Sequence, residues 1–277
     1  MIDERLTRLE HDGLVFDVLD EGPLDGEVVV LLHGFPERAA AWSAVAARLH
    51  ERGCRTLAPD QRGYSPGARP PRRRDHALQH LVGDVVALIE RTGGPVHLVG
   101  HDWGAFVAWG TAALRPDLVR TLTAFSVPHP GAYLAALVSS SQLWHSTYVL
   151  PFQVPGLLEG IARRPGVRRI LTDGGMTEAD IEAFRRGMVA EGALTGGLQW
   201  YRAIPFASPG LTRRPVRVPT TMVWSDGDGY IVRAAIDRCA RWVQAPYELV
   251  VLPGVTHWIP TQAPDAAADA IGRRIAG

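Results

Sequence analysis

The sequence predicts an α/β fold, a mostly parallel sheet with helices on both faces, interrupted late in the chain by a helical insertion. Three observations carry that reading. Solid apolar runs at 28–32 and 96–99 have the character of strands buried on both faces. Stretches with helical spacing separate them, so strand and helix alternate. From about Pro128 to about Arg214 the strand-like runs stop and short helix-like pieces, rich in Pro, Gly, Trp and Tyr, take over before the alternation resumes.

Taken in order, 7–10 and 14–19 read as two edge strands around the turn signal His11-Asp12-Gly13. The run 28–32 leads straight into His33-Gly34-Phe35-Pro36, and a helix is expected over 39–52. A strand at 55–58 ends at Asp60-Gln61-Arg62-Gly63-Tyr64, 81–89 is helical, 96–99 is a strand, 105–114 a helix and 121–127 a strand. After the insertion, whose longest helix-like piece is 176–193, come a strand at 220–224, a helix at 231–243, a strand at 248–252 and a last helix at 265–275. The expected organisation is therefore a core of residues 1–130 and 214–277 with a helical lid, 131–213, between them. Open α/β sheets place their sites at the carboxyl ends of the strands, where His33, Asp60 and Asp102 fall.

The totals exclude several functions. With 277 residues and 46% hydrophobic composition, the chain can bury a sizeable core. Its 29 basic and 29 acidic residues balance, so no global field favours nucleic acid or an anionic membrane; a small neutral partner fits better, and a homodimer is left open. There is no lysine, which removes Schiff-base chemistry and the P-loop. Cys54 and Cys239 have neither C-x-x-C nor metal-ligand spacing, so a reduced, cytoplasmic protein is expected. The charged start Met1-Ile2-Asp3-Glu4-Arg5 lacks the apolar core of a signal peptide, and no apolar run approaches the roughly 18 residues of a membrane span.

The chemistry centres on Gly100-His101-Asp102-Trp103-Gly104, at the junction of strand and helix. It has the shape of the nucleophile elbow G-x-S-x-G, with Asp102 where the serine would stand. A serine that attacked a saturated carbon would leave an ether; a carboxylate leaves an ester, which water can cleave. Asp102 thus points to substrates opened at an alkyl carbon. Such a nucleophile needs an acid and a histidine later in the chain. His257 follows the last strand, and Asp228 lies in Ser225-Asp226-Gly227-Asp228, far enough past its strand to turn toward His257; Asp226 is the alternative. The oxyanion donors should be the backbone N–H groups of Trp103 and Phe35.

Two other features carry nothing. Gly63-Tyr64-Ser65-Pro66-Gly67 matches the elbow letter for letter, but proline after Ser65 has no N–H to donate and no helix pattern follows. The basic run 69–74 reads as a solvated loop.

His33-Gly34-Phe35-Pro36-Glu37, Asp60-Gln61-Arg62-Gly63-Tyr64, Gly100-His101-Asp102-Trp103-Gly104 and the late Asp228 and His257 together resemble the epoxide hydrolases of the α/β-hydrolase fold. The resemblance covers nearly the whole chain. It implies two lid tyrosines that donate hydrogen bonds to the epoxide oxygen, and the matching positions are Tyr201 in Gln199-Trp200-Tyr201-Arg202 and Tyr148 shortly before Phe152-Gln153-Val154-Pro155-Gly156. Gln199 stands where the family usually has Asn. A phenol suits the role because ring opening generates an alkoxide. The implied reaction needs a small apolar epoxide and water and no metal or organic cofactor, in a pocket lined by Phe35, Trp103, Trp144 and Phe152. Haloalkane dehalogenases share the aspartate nucleophile followed by Trp, and a silent ligand receptor on this fold is the alternative from another class.

Overall fold

The expected alternation of strands and helices becomes one eight-stranded sheet in the order β1-β2-β4-β3-β5-β6-β7-β8. The structure is a computed structural model and describes residues 4–277. β1 (Arg8–His11) and β2 (Leu14–Glu21) pair antiparallel as the edge hairpin, and β2 pairs antiparallel with β4 (Cys54–Pro59). β3 (Glu27–Leu32), β5 (Val96–His101), β6 (Val119–Phe125), β7 (Thr220–Ser225) and β8 (Tyr247–Leu252) complete the sheet in parallel.

The apolar runs are explained by burial on both faces. In β3, Val30 and Leu32 pack into one core layer and Val29 and Leu31 into the other, and all four are fully buried. Alternate residues of β7, Met222 and Trp224 against Val223, divide in the same way. The first layer is closed by the helices Leu78–Thr92 and Trp103–Leu114; the opposite layer is closed by Ser43–His50 and Pro264–Ala276. Period-two burial on both faces is what makes these strands read as solid apolar runs.

Two expected helices differ. The stretch 39–52 opens with a 3₁₀ turn, Ala39–Trp42, before Ser43–His50. The stretch 231–243 holds only two single turns, Arg233–Ile236 and Cys239–Trp242. Tertiary bonds fix it at several points: Ile231 O accepts from Trp224 Nε1 at 3.0 Å, Cys239 Sγ accepts from the His129 N–H at 3.3 Å, and Val243 bridges to Val216. Helical propensity yields to those contacts.

Between β6 and β7 the chain forms helices and turns, among them Pro130–Ser139, Leu157–Ala162, Val167–Asp173, Glu178–Ala183 and Leu194–Arg202. The piece expected at 176–193 is an α-helix that continues as a π-helix, Phe184–Ala190. This insertion docks on the core where Gly196 meets Gly63 so closely that a Cβ on Gly196 would stand 1.8 Å from the Gly63 carbonyl oxygen. Among the described residues, no helix is long and apolar enough to cross a membrane.

Candidate active site

The turn from β5 into the helix Trp103–Leu114 holds Asp102 at φ 52°, ψ −121°, a positive-φ conformation that few non-glycine residues adopt. Its neighbours must be glycines: a Cβ on Gly100 would lie 2.2 Å from the Gly104 carbonyl oxygen, and one on Gly104 2.1 Å from that of Leu32. The sharp turn lifts the carboxylate above the carboxyl ends of the strands.

There Asp102 Oδ1 accepts the Phe35 N–H at 2.8 Å, and Asp102 Oδ2 lies 3.5 Å from His257 Nε2. The other ring nitrogen, Nδ1, lies 2.8 Å from Asp228 Oδ2, while Asp228 Oδ1 accepts the N–H groups of Tyr230 at 2.8 Å and Ile231 at 3.0 Å. Asp226 instead accepts the Gly254 N–H at 2.7 Å and ties the loop after β7 to the loop after β8. His257 is held from behind as well, because its carbonyl oxygen lies 2.9 Å from His101 Nε2 and accepts the Ser126 hydroxyl at 2.8 Å. His101 Nδ1 in turn meets Glu37 Oε2 at 2.8 Å.

Burial dominates the titration of these groups, and the charge pairs answer it. For Asp102, burial raises the pKa, but the His257 hydrogen bond and charge, with His101 and the Phe35 N–H, bring it below the ordinary carboxylate value. For His257, burial lowers the pKa, yet the charge of Asp228 and the hydrogen bonds of both carboxylates raise it to about 10. Each group thus favours the charged form of the other, the Asp102 carboxylate and the protonated His257 ring.

Tyr148 and Tyr201 come from opposite ends of the insertion and meet over Asp102, their ring centroids 6.3 Å apart. The sequence Gln199-Trp200-Tyr201-Arg202 divides its work by face. Trp200 is buried and donates to the Arg62 carbonyl at 2.7 Å; Arg202 donates to the Phe152 carbonyl at 2.9 Å and pairs with Glu159. Gln153 Nε2 donates to the Tyr201 carbonyl at 3.2 Å, so the two tyrosine segments tie each other down. The Gln199 Oε1 atom is buried without a partner. Both phenols are pushed well above their ordinary pKa, Tyr148 by burial and then the Asp102 charge, Tyr201 by burial, Tyr148 and then Asp102. They stay protonated and can donate.

Two apolar cavities, of about 190 and 140 Å³, share Asp102, Tyr148, Tyr201, Tyr230 and His257. Phe35 and Phe152 line the first and Trp103 the second. Trp144 corrects the expected pocket: it is 75% exposed and lines neither cavity. On its short helix the inward position belongs to Gln142, which donates to the Tyr230 carbonyl at 2.8 Å and accepts the Val232 N–H at 3.0 Å. A larger cleft, about 650 Å³, is lined by none of Asp102, Asp228 and His257 and meets the first cavity at Pro36, Met176 and Phe184.

Sequence reasoning missed Tyr230. Its ring stands between those of Tyr148 (5.4 Å) and His257 (5.0 Å), and the signal was its place two residues after Asp228. Ser65, the second elbow match, is a turn residue whose hydroxyl donates to the Asp60 carbonyl and accepts the Asp17 N–H. In the basic run, Arg69 donates to the Tyr64 and Glu191 carbonyls, while residues 71–74 are all exposed.

The alpha/beta hydrolase family model matches residues 29–270. Epoxide hydrolase 3 of Xenopus tropicalis is 31% identical over 93% of this chain and 73% of its own length. Epoxide hydrolase A of Mycobacterium tuberculosis is 29% identical over 97% of this chain and 95% of its own. A solved structure described as one of the novel epoxide hydrolases in metagenomes from hot environments superposes with a TM-score of 0.85 at 28% identity, covering all of both chains. The elbow carboxylate, its histidine and acid, the sheet beneath them and these likenesses agree: the chain belongs to the alpha/beta hydrolase family and, within it, to the epoxide hydrolases.

Proposed function

We propose that this chain hydrolyses an epoxide to a vicinal diol in two steps on Asp102. In the first, an Asp102 oxygen attacks a ring carbon as the carbon–oxygen bond on the far side breaks, while Tyr148 and Tyr201 donate hydrogen bonds, and one of them a proton, to the departing oxygen. An ester and an alcohol result. Asp102 has then lost the charge that helped hold the second proton on His257, so that proton leaves to restore the phenol. Neutral His257, oriented by Asp228, next takes a proton from water as the water attacks the ester carbonyl. The N–H groups of Phe35 and Trp103 stabilise the tetrahedral oxyanion, and its collapse returns the carboxylate and releases the diol. Epoxide and water are consumed and diol alone is formed.

The observation that carries this reading is the base seated 3.5 Å from a carboxylate at the elbow, with its other nitrogen on a second carboxylate. Residues 131–213 act as a lid, since the two tyrosines and much of the apolar lining come from them. Two apolar cavities that both reach Asp102 favour an epoxide with apolar substituents on both ring carbons.

The test is the intact mass of His257→Gln after incubation with an aryl epoxide. A gain of one epoxide mass, absent when Asp102→Asn is added, is expected. Wild-type protein that leaves aryl and alkyl epoxides intact but releases halide from haloalkanes would replace this reading with the dehalogenase one.

A further inference from the structure

Resting on the two-step reading, we infer that a pair of glycines in the insertion, Gly174 and Gly175, clamps the loop that carries His257 and so sets the second step. The loop's core side is already held through the His257 carbonyl, by His101 and Ser126. Its other side faces two carbonyl oxygens of the insertion. Gly174 O accepts Trp258 Nε1 at 2.9 Å and, more weakly, the Tyr230 hydroxyl at 3.4 Å. Gly175 O accepts Gln262 Nε2 at 2.6 Å. Gln262 Oε1 in turn accepts the Thr256 hydroxyl at 2.8 Å, so this one side chain joins the Gly175 carbonyl to the residue before His257.

Side chains at 256, 258 and 262 thus flank the base, and the last two bind one turn of a different segment. The turn favours glycine at Gly175, whose φ is +86°, and at Gly174 it leaves room for the Tyr230 hydroxyl, which a Cβ there would meet at 2.4 Å. The next residue, Met176, packs with Ile181 and Trp258 and lines the first cavity. The insertion therefore does more than present tyrosines: its docking fixes where the imidazole points. Gln262 and Trp258 are positioning residues for His257.

Esterification uses Asp102 and the phenols, whereas ester hydrolysis needs the imidazole aligned on a water. Loosening the clamp should slow only hydrolysis. The variant is Gln262→Met, which lies outside the cavities and loses both the donor and the acceptor; Trp258→Phe, which keeps an aromatic ring at the wall of the first cavity and loses the indole N–H, is its companion. Rapid-quench intact-mass measurement on one aryl epoxide follows ester formation and decay, with His257→Gln alongside. For Gln262→Met the expected result is formation within twofold of wild type, decay slowed about tenfold, the loss of one aligned hydrogen bond, and kcat and KM falling together as ester accumulates. Trp258→Phe should also accumulate ester. Decay unchanged in both variants, or formation and decay lowered equally, would overturn the clamp. Ester that accumulates in His257→Gln while both clamp variants behave as wild type overturns the clamp alone; no ester even in His257→Gln overturns the two-step reading and the clamp with it.

Discussion

Replacing Asp228 by Asn tests the proposed base with almost no change of shape. In the native site one oxygen, Oδ1, accepts two backbone N–H groups at 2.8 and 3.0 Å, and the other, Oδ2, faces His257 Nδ1 at 2.8 Å. An asparagine there must choose. Turning its NH₂ toward the Tyr230 and Ile231 N–H groups would set donor against donor twice, at about 1–3 kcal/mol for each buried group left unmet. The amide oxygen therefore keeps the backbone, and the NH₂ faces His257. Nδ1 must then accept, which leaves the proton on Nε2, the nitrogen that should take one from water. Loss of the correct tautomer in a comparable His–Asp pair costs about 10⁴ in rate, so ester hydrolysis should fall by roughly 10³- to 10⁴-fold. Ring opening, which uses Asp102 and the tyrosines, should continue. Single-turnover rapid quench with an aryl epoxide, read by intact mass, should show nearly stoichiometric ester that decays over hours. An Asp228→Asn protein that turns over within tenfold of wild type, or one in which ester formation fails as completely as hydrolysis, would refute the argument.

The remaining predictions follow from the same geometry. Tyr148→Phe and Tyr201→Phe should each slow ester formation by about 10²- to 10³-fold, the scale of losing one donor to a developing oxyanion, and leave decay of preformed ester nearly unchanged; single-turnover kinetics separates the two. The His257 pKa is raised from 6.5 to about 10 on folding, against burial and through Asp228 and Asp102. Its contribution to stability is therefore complete below about pH 6.5 and is lost as pH rises through about 10, so the wild-type Tm should fall across that window more than that of His257→Gln. Gly104→Ala would put a Cβ 2.1 Å from the Leu32 carbonyl oxygen; chemical denaturation should show a loss of several kcal/mol, or no folded protein, because backbone on both sides must move.

Much of this molecule is legible in its residues because the signals are local. A parallel strand covered on both faces leaves an apolar run, and the strand, turn and helix around Asp102 leave a pair of glycines flanking a carboxylate. Asp228 and His257 stood out because each follows a strand end. What failed were readings of direction and partnership. Trp144, expected in the pocket lining, faces outward; four-residue helices carry no periodicity from which to read an inward face, and Gln142 takes that place by bonding two backbone groups of the loop after Asp228. The helix expected over 231–243 gives way to tertiary contacts: Trp224 bonds the Ile231 carbonyl, the His129 N–H bonds the Cys239 sulfur, and Val243 bridges to Val216. Tyr230 escaped notice since an aromatic beside a triad acid has no pattern of its own.

By itself the sequence determined the alternation of elements, the elbow, the order of nucleophile, acid and histidine, and the kind of carbon such a nucleophile can open, since each depends on residue type and near neighbours. Only the tertiary structure decided that Asp228 rather than Asp226 meets His257, that Tyr148 and Tyr201, far apart in the chain, converge over Asp102, and that a diglycine turn of the insertion grips the histidine loop. Those are distances between remote segments, set by how the insertion packs on the sheet, and no local run of residues encodes them.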